Sequence, residues 1–143
     1  MGNVLVCGSF DMLHYGHIEF LRKARTYGDR LIVGLSSDEF NVEKKGRHCF
    51  YTYDQRKLML EAIKYVDIVV PEYSMEDKLS IAKKMNVDVY CGGEQDWDPE
   101  TCLGNADYLK DFCEVVYLPR TPDISTTEIL LKKNLVDLRT RNK

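Results

Sequence analysis

The sequence has no CxxC pair, no long apolar run and no surplus of basic charge, and each absence removes a class of protein. Its five cysteines, Cys7, Cys49, Cys91, Cys102 and Cys113, are odd in number and irregularly spaced. That pattern argues against a disulfide framework or a thiolate metal site and fits free thiols in a reducing cytosol. The apolar runs stay far below the roughly 18 residues that suggest a membrane-spanning helix. Met1-Gly2-Asn3 leads straight into a strand pattern, without the charged n-region or small-residue cleavage site of a secretory signal. The expected location is therefore the cytoplasm, with no membrane partner. With 20 Lys and Arg against 23 Asp and Glu, the formal charge is −3, which gives no field for nucleic acid. Only Arg139-Thr140-Arg141-Asn142-Lys143 is locally basic, and residues 136–143 read as a solvated tail. No repeat, low-complexity tract or linker interrupts residues 1–135. The 143 residues therefore make one domain, large enough to bury roughly two thirds of its unfolded surface.

What is present is alternation. Short runs rich in Val, Ile, Leu and Tyr near 3–7, 31–36, 67–70, 87–91 and 114–118 alternate with helical patterns. The pattern predicts an α/β fold: a single Rossmann-like domain with a parallel five-stranded sheet flanked by helices. The strand content suits strands covered on both faces. Residues 18–24 read as a first helix, with Ile18 and Leu21 facing inward. Residues 54–64 read as a second, capped by Asp54, with Leu58, Leu60, Ala62 and Ile63 on its apolar side. Residues 75–85 read as a third helix and 106–112 as a short fourth, while a last begins after Ile124. Two stretches, 40–52 and 92–104, lack this periodicity and follow strands. Open α/β sheets place their ligand crevice at that edge, and its loops carry function.

Two places read as anion sites. Val4-Leu5-Val6-Cys7 delivers the chain to the sheet edge, Gly8 lets the backbone turn, and a helix start follows with His14 and His17. Helix-start N–H groups and the positive end of the dipole attract an anion. Two histidines three residues apart share one helix face and point at it. Isolated histidines beside a loop would be surface residues. Two of the chain's three within four residues, with Gly16 between them, make that the weaker reading. The second place is Ser125, followed three residues later by Glu128 as a capping box. With Arg120 just upstream and the hydroxyls of Ser125, Thr126 and Thr127, this helix start also gathers donors for an anion.

The segment from Gly8 to His17 resembles the HxGH signature of the nucleotidyltransferase superfamily. Arg120-Thr121-Pro122-Asp123-Ile124-Ser125-Thr126-Thr127 resembles the RTxGISTT motif of cytidylyltransferases, and the whole pattern is most similar to the glycerol-3-phosphate cytidylyltransferases. The resemblance runs up to the basic tail. It implies transfer of CMP from CTP to a phosphorylated polyol, most simply glycerol 3-phosphate. The products would be CDP-glycerol and pyrophosphate, for cell-wall or capsular polymer synthesis, with Mg²⁺ accompanying CTP and a homodimeric enzyme. It further implies that His14 and His17 contact the triphosphate and stabilise the pentacoordinate transition state. Gly8, Ser9 and Phe10 would hold the nucleotide. Arg120, Thr121, Ile124, Ser125, Thr126 and Thr127 would form its clamp. Lys44 would be the flexible-loop cation that reaches the phosphates or the acceptor, Lys45 a second such cation, and Lys78 the lysine on the acceptor phosphate. Arg56, Asp38 and Asp67 match family positions that shape the site or brace the structure. No residue is expected to serve as a dedicated metal ligand.

Three departures from the family pattern leave the reaction class little affected, and the last two put the acceptor in question. Asp123 stands where the family has Gly, Met75 where glycerol-3-phosphate relatives have Trp, and the run from Gly92 to Cys102 is longer than theirs. Phosphoethanolamine, phosphocholine or a sugar phosphate therefore stay open as acceptors, ATP stays open as donor, and a binding module without catalysis is the alternative of another class. The chemistry itself asks little of a nucleophile. A phosphomonoester has a second pKa near 6 and is already anionic at cytosolic pH. The protein has only to bring two polyanions together and stabilise the charge that develops.

Overall fold

The computed structural model describes residues 2–93 and 106–119. Five strands, β1 (Asn3–Gly8), β2 (Arg30–Ser36), β3 (Ile68–Glu72), β4 (Val87–Gly93) and β5 (Glu114–Leu118), form one sheet in the order β3-β2-β1-β4-β5. Every neighbouring pair is parallel. Four helices, α1 (Tyr15–Arg25), α2 (Asp38–Lys45), α3 (Tyr53–Glu61) and α4 (Asp77–Lys84), lie between the strands, and a 3-10 helix at Asp107–Asp111 precedes β5. The strand order reverses between β1 and β4, so the crevice of such a sheet opens beyond the carboxyl ends of these strands. Pro71 sits in β3, an edge strand, where a missing N–H costs no ladder bond on the outer side.

Strand alternation divides the core in two. Val4, Val6, Leu31, Val33 and Val89 pack on one face with Leu21 of α1 and Leu60 of α3. Leu5, Ile32, Val87 and Tyr90 pack on the other with Ile81 of α4 and Leu109 of the 3-10 helix. These residues are nearly all wholly enclosed. The parallel five-stranded α/β fold expected from the alternation is the observed one.

The helix ends differ from the sequence expectations for local reasons. α1 begins at Tyr15, ahead of Ile18, because His14 is its N-cap. α3 is capped by Thr52 and not by Asp54. The Thr52 hydroxyl accepts from the Gln55 N–H and the Gln55 side chain accepts from the Thr52 N–H. α4 begins at Asp77, whose carboxylate accepts the Tyr73 N–H at 2.7 Å, so Met75 lies in the preceding turn. The stretch 40–52, expected to be irregular, is helical through Lys45. Ser37 caps α2 by accepting from Phe40, Asp38 and Glu39 sit in the first turn, and Gly46 closes it with φ 71. This helix is specified at its ends and not by an apolar stripe. The expected helix after Ile124 and the tail lie outside the described residues.

Candidate active site

The turn after β1 is made by Phe10 and Met12, two non-glycine residues with φ 47 and 51. Each costs on the order of 1 kcal/mol in that region. Gly8 therefore does not supply the turn, as its position had suggested. It makes room: a Cβ there would meet Phe10 Cε2 at 3.2 Å. Between the two left-handed residues, Asp11 is buried, and its carboxylate accepts the N–H groups of Phe50 (2.6 Å) and Tyr51 (3.0 Å). This fastens the segment before α3 onto the turn before α1.

At the start of α1 the two histidines interlock. The Gly16 N–H donates to His14 Nδ1 at 3.1 Å, and the His14 N–H donates to His17 Nδ1 at 3.2 Å. A ring nitrogen that accepts carries no proton, so this hydrogen bonding assigns the Nε2–H tautomer to both rings. The rings stack with centroids 3.9 Å apart, and Phe10 lies 5.6 Å from His17. Burial, with His14 and the Lys45 charge adding to it, pulls the His17 pKa down to about 3. His17 is thus a neutral imidazole. The His14 and Gly16 amides at this helix N-terminus are taken up by the rings, so the donors that the pair itself carries are the ring Nε2–H groups.

Arg56, expected to help shape the site, is wholly buried. Its guanidinium donates to the carbonyls of Ser9 (2.9 Å), Ser36 (2.9 Å) and Tyr51 (3.1 Å) and to Asp38 Oδ1 (2.7 Å). It ties the ends of β1 and β2 to the N-terminus of α3 and in this arrangement presents no donor outward. Asp38 completes the tie by accepting the Tyr53 N–H at 3.2 Å, the bracing role expected of it. Ser9 donates its hydroxyl to Asn41 Oδ1, and Asn41 Nδ2 donates to the Arg47 carbonyl at 3.2 Å. Asp67 serves structure in the same way, accepting the Leu31 N–H at 2.8 Å beside Arg25.

Two of the three lysines expected to meet substrate, Lys44 and Lys78, gather around one carboxylate. Lys44 lies in the last turn of α2, not in a loop, with its Nζ 2.7 Å from Ser36 Oγ and above the Phe40 ring. Ser36 donates to Glu72 Oε1 at 3.1 Å, and Lys78 Nζ donates to Glu72 Oε2 at 2.9 Å. Glu72 is wholly buried and Lys78 nearly so. Burial lowers the Lys44 pKa to about 8. Burial works against Lys78 as well, but Cys7 and Glu72 outweigh it and raise its pKa. Burial, reinforced by Glu72, pushes the Cys7 thiol well above its ordinary range. Lys45 is exposed on the same turn of α2. Arg120, Thr121, Ile124, Ser125, Thr126 and Thr127, the expected clamp, lie outside the described residues.

Sequence reasoning missed Asp11, Asn41, Ser36 and Glu72, each of which has a partner 32 to 40 positions away along the chain. Only the end of α2 and the Thr52-x-x-Gln55 box had a local signal. Among the described residues no helix is long and apolar enough to cross a membrane.

The chain is similar to known proteins along most of its length. Residues 5–132 match the family described as Cytidylyltransferase-like. The chain is 52% identical over 129 residues to a glycerol-3-phosphate cytidylyltransferase of Staphylococcus aureus (strain NCTC 8325 / PS 47), covering 90% of this chain and 92% of the relative. It is 48% identical over 129 residues to the glycerol-3-phosphate cytidylyltransferase of Bacillus subtilis (strain 168), covering 90% and 95%. The crystal structure of a lipopolysaccharide core biosynthesis protein from Thermoplasma volcanium GSS1 superposes with a TM-score of 0.69 at 23% identity, over 85% of this chain and 98% of that one. At that identity the likeness speaks for the fold.

Proposed function

The chain belongs to the cytidylyltransferase-like family, and from that premise we propose that it transfers CMP from CTP to glycerol 3-phosphate, giving CDP-glycerol and pyrophosphate. The observation that carries the reading is the likeness to glycerol-3-phosphate cytidylyltransferases along nine-tenths of the chain. A phosphate oxygen of the acceptor attacks the α-phosphorus of CTP. A new P–O bond forms, the bond from the α-phosphorus to the bridging oxygen breaks, and its electron pair leaves with pyrophosphate. The acceptor is already ionised, so no side chain need remove a proton.

The work of the protein is electrostatic. The Nε2–H groups of His14 and His17 donate to the α-phosphoryl oxygens and the departing bridge, where charge grows in the transition state. Their orientation is set before substrate arrives, by the Nδ1 hydrogen bonds. Lys44 and Lys45 neutralise phosphate charge, and Lys78 serves the acceptor phosphate. Gly8, Ser9 and Phe10 shape the nucleotide side, and Arg120 with Thr121, Ile124, Ser125, Thr126 and Thr127 clamps the nucleotide. Arg56 acts through the loops that it fastens. Mg²⁺ enters with CTP as the counter-ion of the triphosphate. The Asp11 oxygens, beside the histidine turn, accept backbone N–H groups. The family resemblance supports a homodimer in the cytoplasm whose product feeds teichoic-acid or capsular polymers.

A second acceptor reading rests on Met75 and on the longer run after Gly92, which support phosphoethanolamine, phosphocholine or a sugar phosphate in place of glycerol 3-phosphate. Pyrophosphate release measured with CTP and ATP against each acceptor separates these readings. A nucleotide-binding module without catalysis would release none with any pair.

A further inference from the structure

The cluster around Glu72 has one cation too many for a structural ion pair. Glu72 is wholly buried at the carboxyl end of β3, opposite Ser36 in the β2–β3 register. A buried carboxylate is costly unless it is paired and hydrogen-bonded. Lys78 at 2.9 Å and Ser36 at 3.1 Å satisfy that need. Lys44, half-buried, is nevertheless held in the same cluster through the Ser36 hydroxyl. The remaining titratable groups around the cluster are Cys7 of β1, Lys45 of α2, and Glu76 and Tyr108 beside α4. Cys7 and Tyr108 are both shifted upward, chiefly by burial, and so stay neutral at physiological pH. The buried Lys78 and half-buried Lys44 against one buried carboxylate leave a net positive charge, which attracts an anion such as a phosphomonoester.

We propose that Glu72 is a positioning residue for the acceptor, holding Lys78 directly and Lys44 through Ser36 as a charged pair that receives the acceptor's phosphate. The assignment of that phosphate to the acceptor rests on the function proposed above. Glu72 meets no substrate itself. Its carboxylate keeps two neighbouring ammonium groups protonated and oriented where burial and mutual repulsion would otherwise favour loss of a proton. Ser36 is the relay, since its hydroxyl donates to Glu72 while accepting from Lys44.

The test pairs a lysine titration with kinetics on the full chain. Lysine labelled with ¹³C at Cε reports the midpoint of Lys44 by NMR without any substrate. In Glu72→Gln, which preserves shape and removes charge, that midpoint should fall by about one pH unit. The KM for glycerol 3-phosphate should rise about tenfold, the scale of losing one hydrogen bond to a charged group, while the KM for CTP stays within about twofold. Glu72→Asp, which retains the charge, should restore the midpoint. If the Gln variant does not fold, Ser36→Ala takes its place, because it keeps Glu72 but removes the relay to Lys44, and the Lys44 midpoint should fall there too. An unmoved lysine midpoint, or equal rises in both KM values, overturns the proposal. If the wild type forms no CDP product from glycerol 3-phosphate, the function reading falls, and the substrate-free titration still decides whether Glu72 governs Lys44.

Discussion

His14 and His17 stack with ring centroids 3.9 Å apart while the His14 N–H donates to His17 Nδ1 at 3.2 Å. One contact thus fixes a helix start, a ring orientation and a tautomer. Replacing either histidine by Ala should lower turnover about a hundredfold or more, the scale of losing one transition-state donor. CTP binding, measured by calorimetry, should weaken far less. A His17→Ala enzyme with near-normal turnover would remove the proposed mechanism.

The pH profile follows from the neutral His17. Its pKa of about 3 lies below any working pH, so His17 should contribute no limb near pH 6. The acid limb of kcat/KM should instead follow the second pKa of the acceptor, near 6 for a phosphomonoester, and should move with it when a phosphonate analogue is used. On the alkaline side, Lys44 is charged below about 8 and loses its proton as pH rises through that value, so activity should fall there. Lys44→Arg should abolish the alkaline limb, because a guanidinium does not titrate in that range.

Arg56 should behave as a fastening and not as a ligand. Arg56→Ala leaves the Ser9, Ser36 and Tyr51 carbonyls and Asp38 without their donor. The loss should be on the order of 3 kcal/mol, a fall in Tm of roughly 10 °C for a domain of this size. Arg56→Lys should recover little, because one ammonium cannot reach four acceptors in a planar fork. Calorimetric unfolding of the three proteins checks this, and an Arg56→Ala variant with unchanged Tm contradicts it.

The sheet and the histidine pair were legible in the sequence because their signals are local. Runs such as Val4-Leu5-Val6 and Leu31-Ile32-Val33 mark strands by composition, and His14 and His17 declare themselves by spacing. The braces were not legible. Asp11 meets residues 39 and 40 positions away, Arg56 reaches Ser9 across 47, and Ser36 meets Glu72 across 36, so nothing within a short window marks them. α2 escaped notice for a different reason: it owes its existence to Ser37 and Gly46 at its ends, while Phe40 and Asn41 are its only buried residues. Met75 falls outside the helix expected over 75–85 because α4 starts at Asp77, leaving Met75 in a turn where its carbonyl accepts the Tyr108 hydroxyl at 2.9 Å.

Arg120 is expected to hold the nucleotide, so Arg120→Ala should raise the KM for CTP as well as slow turnover. Arg120→Lys should rescue only in part, because a point charge replaces a bidentate fork. Unchanged CTP affinity in the Ala variant would withdraw Arg120 from the clamp.

The central claim, CMP transfer to glycerol 3-phosphate, is tested most directly by initial rates with CTP and four acceptors: glycerol 3-phosphate, phosphoethanolamine, phosphocholine and a heptose 1-phosphate. Phosphorus NMR identifies each diphosphate product. The account predicts that glycerol 3-phosphate gives CDP-glycerol with a kcat/KM well above that of the other three. No CDP-glycerol from glycerol 3-phosphate, alongside ready turnover of another acceptor, would contradict it.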